Sequence, residues 1–228
     1  MSAPPVADAT LRRPRIAVVD YGAGNLVSID QALGRVGGDV VVARDAEALR
    51  DADALVVPGV GAAAPAMDRL ARRGLVEPIV EWIAGGRPYL GICLGLQLLF
   101  EGSDEDGAKT LGIIPGRTTL LSGAPTLPHI GWNQVDRVRD HPLFDGVRPG
   151  ADFYFVHSYS GSPSDPDMAL ATTTHGATFV SAVARDNVVG VQFHPERSGT
   201  DGLRLLRNAV ELLRAGAWAA GCEPAGVA

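Results

Sequence analysis

From Arg15 onward, short apolar runs alternate with amphipathic stretches. Residues 16–19, Ile-Ala-Val-Val, read as a strand, and residues 25–36 as a helix whose N-cap is Asn25. The strand signature returns at 39–43, 54–57 and 88–92, and helical spacing at 62–73, 76–84 and 96–101. Strands that are apolar throughout and alternate with helices predict a parallel sheet covered on both faces. After Gly102 the rhythm changes. Gly, Pro and polar residues punctuate β-like runs at 118–121, 153–157, 169–174, 178–184 and 188–193, which predict antiparallel additions to the same sheet. Residues 203–215 place Leu205, Leu206, Ala209, Val210, Leu212 and Leu213 on one helical face that should pack back on the sheet.

The expectation is therefore an α/β fold with a mostly parallel central sheet and antiparallel additions in the C-terminal half. A single domain should span 15–216. Residues 1–14, with adjacent prolines and small polar side chains, read as a disordered leader, and 217–228 as a frayed tail. At 228 residues and 46% hydrophobic content the chain can bury a sizeable core. Its net charge of −6 offers no basic face for a phosphate backbone, so nucleic acid is not an expected partner. The N-terminal stretch has no continuous apolar run of the kind a secretory signal or a membrane span needs. Two cysteines in unlike contexts, Cys93 and Cys222, argue against a disulfide framework and a zinc site and suit a reducing cytoplasm.

Cys93 sits in Gly91-Ile92-Cys93-Leu94-Gly95, after a buried-type strand and before a helix-like run, the context of a nucleophile elbow. The sulfur would project at the carboxyl edge of the sheet, against a helix N-terminus that favours a thiolate. A small buried core cysteine is the plain alternative. Far along the chain, His194-Pro195-Glu196 follows a strand-like run. In extended backbone residues two apart point the same way, so Glu196 can orient the imidazole, leaving its other nitrogen to take a thiol proton. His129 and His157 compete for the base role, but neither has a carboxylate two residues on.

Two glycine-rich loops complete the pattern. In Asp20-Tyr21-Gly22-Ala23-Gly24-Asn25 the third glycine of a dinucleotide fingerprint is replaced by Val27, so no cofactor is expected; a tight turn explains every residue there except Tyr21. In Pro58-Gly59-Val60-Gly61 the backbone N–H of Val60, together with that of Leu94, would form an oxyanion hole, and the two glycines would permit a peptide flip.

GICLGLQ around Cys93, HPE at 194–196 and the PGVG loop together resemble the triad-type, or class I, glutamine amidotransferases, over 15 to about 215. DYGAGN, PGVGA, LGIIPG at 111–116, HIGWN at 129–133 and YFVHSY at 154–159 look, within that family, like the glutamine amidotransferase subunits of imidazole glycerol phosphate synthase. Ala63 departs from the aromatic common there, and Arg197 from a frequent Lys.

The resemblance implies a three-layer, flavodoxin-like fold and L-glutamine as substrate. It implies Cys93 as nucleophile, His194 as base and Glu196 as orienter, with Gln97 and the backbone near Gly59, Gly61, Ser158 and Tyr159 holding the substrate. No metal or cofactor is implied. The implied partner is a (β/α)8-barrel cyclase subunit in a heterodimer, with HIGWN and YFVHSY near the interface. A stand-alone cysteine amidohydrolase of similar fold and a non-catalytic ligand-binding module remain as alternatives.

Overall fold

Along β1 (Arg15–Val19) buried side chains alternate between two apolar clusters, Ile16 and Val18 in one, Ala17 and Val19 in the other. A strand covered on both faces has this pattern. The computed structural model describes residues 12–219. In it β1 is flanked by β2 (Asp39–Ala43) and β3 (Ala54–Gly59), and β4 (Tyr89–Cys93) lies beyond β3, all paired in parallel. The run at 188–193, expected as an antiparallel addition, instead supplies the fifth parallel strand, β12 (Val188–Val191), which comes from the far end of the chain to lie parallel beside β4 and antiparallel to the strand beyond it. This crossing brings the two predicted halves of the site together.

Helices α1 (Leu26–Arg35) and α5 (Gly199–Arg214) contribute Ile29, Leu33, Leu205 and Leu206 to the cluster on one face. On the other face α2 (Ala63–Arg72) and α3 (Val76–Ala84) contribute Leu70, Ile79 and Trp82. Asn25 caps α1 as its position predicts, its side chain accepting from the Ser28 N–H at 3.3 Å. The result is three layers, as expected.

Past β12 the sheet continues in antiparallel fashion through β11 (Ala177–Arg185), β10 (Ala169–His175), β7 (His129–Arg137) and β8 (Ala151–His157), making nine strands. The other predicted β run, at 118–121, lies elsewhere. It forms β6 (Gly116–Leu120) in a separate three-stranded sheet with β5 (Gly102–Ser103) and β9 (Tyr159–Pro163).

The extent of one helix is also corrected. The helix read at 96–101 is α4 (Leu94–Gln97), a single turn starting earlier and stopping sooner. It stops because the LGIIPG segment takes the next carbonyls: Leu98 O accepts from the Leu111 N–H, Leu99 O from those of Ile113 and Ile114, and Phe100 O from that of Gly112. Leu98, Leu99 and Phe100 are fully buried, so there is no polar face for a helix to turn to solvent. The tail read as frayed from 217 is anchored at its start, where buried Trp218 donates from Nε1 to Asn187 O at 2.8 Å. At the other terminus, Arg12 pairs with Asp53 and Arg13 donates to Gly38 O at 2.5 Å, so the end of the segment read as leader is tied to the domain. The rest of the leader and Cys222 lie outside the described residues. Among the described residues, no helix is long and apolar enough to cross a membrane.

Candidate active site

Cys93 ends β4 with φ of +54° and ψ of −109°, a backbone conformation that side-chain-bearing residues rarely adopt. The elbow is held by close packing: a Cβ at Gly95 would lie 1.7 Å from Val57 O on the neighbouring strand. Only glycine fits there. Because α4 is one turn long, few peptide dipoles align behind Cys93, and the electrostatic support expected from a helix N-terminus reduces to the free N–H groups of that turn.

Register places Gly59 directly beside Cys93 across β3 and β4. The PGVG loop therefore begins at the sulfur's side, with Gly61 at φ +95° and the Val60 side chain half-exposed. Tyr21, the residue the first glycine-rich turn left unexplained, lies buried against this loop. A Cβ at Gly59 would meet its hydroxyl at 2.1 Å.

His194 arrives from the end of β12, and its motif is fastened to β8. The His194 N–H donates to Tyr154 O at 2.9 Å, while Ser198 Oγ accepts from the Tyr154 N–H at 3.0 Å and donates to His194 O at 2.6 Å. Pro195 opens a single 3₁₀ turn that carries Glu196 back toward the ring. His194 Nδ1 and Glu196 Oε1 are 2.8 Å apart, with both side chains 94% buried. Burial opposes a charged imidazole, but the Cys93 sulfur and the Glu196 carboxylate outweigh it and raise the ring's proton affinity to about 10. Nε2 makes no hydrogen bond to protein, which leaves it free toward the strand end that carries Cys93.

The two competing histidines are committed elsewhere. His157 Nδ1–H donates to Tyr159 O at 2.9 Å, which leaves Nε2 to accept from His129 Nδ1–H at 3.1 Å. His129 Nε2 in turn accepts from Asn133 at 3.2 Å. Both rings are held neutral by burial, His129 with its pKa lowered to about 4 and His157 to about 3. Neither has a free nitrogen to serve as base.

A cavity of about 200 Å³ opens over the sulfur, lined by Cys93, Gln97, Gly61, Ser158 and Tyr159 among others, which suits one amino acid better than the ~300–1,000 Å³ of larger ligands. Gln97 is buried there and donates from Nε2 to Tyr159 O at 2.8 Å. Sequence reasoning missed Glu105, whose position lines the same cavity, and Gln192, which is fully buried and donates to Cys93 Sγ at 3.6 Å. A signal for Gln192 existed: it stands two residues before His194 in an extended run, on the same side. Among the described residues no group of His, Cys, Asp or Glu is arranged to hold a metal ion.

Residues 17–212 match the family described as Glutamine amidotransferase class-I. The chain belongs to that family. Subunit HisH of imidazole glycerol phosphate synthase from Syntrophotalea carbinolica is 47% identical over 201 residues, covering 85% of this amidotransferase and 98% of its own length. HisH of Acaryochloris marina is 48% identical over 206 residues, covering 89% and 96%. In fold, the amidotransferase resembles PurLQS of Thermotoga maritima with a TM-score of 0.70 at 20% identity, covering 89% of this chain and all of that one. A glutamine amidotransferase from the same organism gives 0.65 at 16% identity, covering 89% and 99%.

Proposed function

We propose that this amidotransferase is the glutaminase subunit of imidazole glycerol phosphate synthase and uses Cys93, His194 and Glu196 as its triad. The observation that carries the reading is the buried His194–Glu196 pair, 2.8 Å apart, set on the strand beside the Cys93 elbow, whose sulfur lines an amino-acid-sized cavity. The Cys93 sulfur attacks the side-chain amide carbon of L-glutamine, and its proton goes to His194. Backbone N–H groups of Val60 and Leu94 receive the oxyanion. As the C–N bond breaks, His194 returns the proton to the leaving nitrogen, releasing ammonia and leaving a thioester. Water then attacks the thioester, giving its proton through His194 to the departing sulfur, and glutamate is released. Gly59, Gly61, Gln97, Ser158 and Tyr159 hold the substrate, with the Glu105 carboxylate near its ammonium group.

Ammonia lost to water at neutral pH becomes ammonium, which is not nucleophilic, so the acceptor belongs to a docked partner. The partner is a (β/α)8-barrel cyclase subunit that forms a heterodimer in the cytoplasm and uses the ammonia to make imidazole glycerol phosphate and AICAR in histidine biosynthesis. HIGWN and YFVHSY support a shared docking face. They pair strand to strand, His129 opposite His157 and Trp132 opposite Tyr154, and leave Ile130 and Trp132 exposed. The Arg197 guanidinium lies 4.0 Å over the Tyr154 ring at the same place. The PGVG loop exists in misaligned and aligned forms, so the lone subunit is a poor glutaminase until the partner and its nucleotide bind. Co-purification with a cyclase, followed by coupled glutamate release and imidazole glycerol phosphate formation, tests this. Complex formation with neither product would overturn it.

A further inference from the structure

Two polar groups lie close to the Cys93 sulfur besides the triad, and they favour opposite protonation states. Val156 O stands 4.0 Å away and, as a carbonyl, can only accept, so it suits the thiol S–H. Gln192 Nε2–H donates to Sγ at 3.6 Å, a contact that persists and strengthens when the sulfur carries charge. Gln192 has no exposed surface, and its backbone N–H is tied to Ser181 O at 2.8 Å, so its side chain is held in place. Its Oε1 accepts from Gln97 Nε2 at 3.1 Å. With the bond to Tyr159 O at 2.8 Å, both hydrogens of the Gln97 amide are spent. Gln97 is left with its oxygen to offer the cavity it lines.

We propose that Gln192 is the positioning residue of this site: its N–H holds the Cys93 sulfur as the anion, and its oxygen fixes Gln97 so that the substrate meets an acceptor. The second half rests on the glutaminase reading; the first does not. A glutamine substrate has donors to match that acceptor in its ammonium and its side-chain amide. One buried carboxamide thus links the nucleophile to the binding of the substrate.

Gln192→Met and Gln192→Glu both remove the N–H donor, but only Gln192→Glu keeps an acceptor for Gln97. Each variant is purified with the cyclase, checked for fold by circular dichroism and thermal melting, and assayed for glutamine kinetics and for the pH profile of Cys93 alkylation by iodoacetamide. Both should move the alkylation midpoint to higher pH and lower kcat by about 10-fold or more. KM for glutamine should rise several-fold in Gln192→Met and stay within about 2-fold in Gln192→Glu. Gln192→Met, which adds no charge and matches the volume, carries the decision if Gln192→Glu does not fold. Folded variants with wild-type alkylation profiles would overturn the sulfur contact, and an unchanged KM in Gln192→Met would overturn the role toward Gln97. If the wild-type complex itself turns over no glutamine, the glutaminase reading and the Gln97 half of the proposal fail together, and the alkylation profile still decides the sulfur contact.

Discussion

His194 Nδ1 and Glu196 Oε1 stand 2.8 Å apart, buried together beside a sulfur that comes from the other half of the chain. The carboxylate fixes the ring and supports its cation, so Glu196→Gln, which keeps the shape and removes the charge, should lower kcat for glutamine hydrolysis on the order of 100-fold or more. Steady-state kinetics of the complex check this. The lost charge should also move the imidazole titration, followed by NMR, toward lower pH.

Val57 O leaves no room for a side chain at position 95, since a Cβ there would lie 1.7 Å away and the obstacle is strand backbone. Gly95→Ala should therefore destabilise the fold at or above the top of the usual overpacking range of ~1–3 kcal/mol. Urea unfolding of the variant beside wild type measures it.

His129 and His157 give the fold an acid-side limit. Burial depresses both, to about 4 and about 3, below the ordinary imidazole value of ~6.5. As pH falls below about 6.5 the unfolded chain takes up protons that the native rings refuse, so native stability drops as pH falls toward 4. The slope should approach ~1.4 kcal/mol per pH unit for each ring refused its proton. Urea midpoints between pH 7 and 4.5 test the sign, and His157→Gln should flatten the dependence.

Trp132 is 56% exposed on β7, with Ile130 beside it at 60%. An exposed aromatic of this kind is a candidate anchor for the cyclase. Trp132→Ala should weaken the complex about 10-fold or more in a binding titration while leaving the melting temperature of the free chain within about 2 °C.

The elbow at Cys93 and the His194–Glu196 contact of the proposed triad were legible in the sequence because each is a local signal: a nucleophile turn framed by glycines, and a histidine with a carboxylate two residues on. The parallel half was legible for the same reason, its strands being apolar throughout. What the sequence hid came from long-range pairing. β7 went unread because its alternation is inverted, with Ile130 and Trp132 facing outward and His129, Gly131 and Asn133 inward, and because its partners in β8 lie 16 to 28 positions away. The length of α4 depended on the LGIIPG segment reaching back for its carbonyls. Gln192 read as one more residue in a strand; its place two before His194 was a signal, but its contact with the Cys93 sulfur depends on β12 lying beside β4.

The most direct measurement treats the complex with a glutamine-mimicking electrophile and maps the adduct by mass spectrometry. The account predicts one adduct, on Cys93, suppressed by excess glutamine and greatly slowed by His194→Ala. An unmodified Cys93, or labelling confined to Cys222, would contradict it.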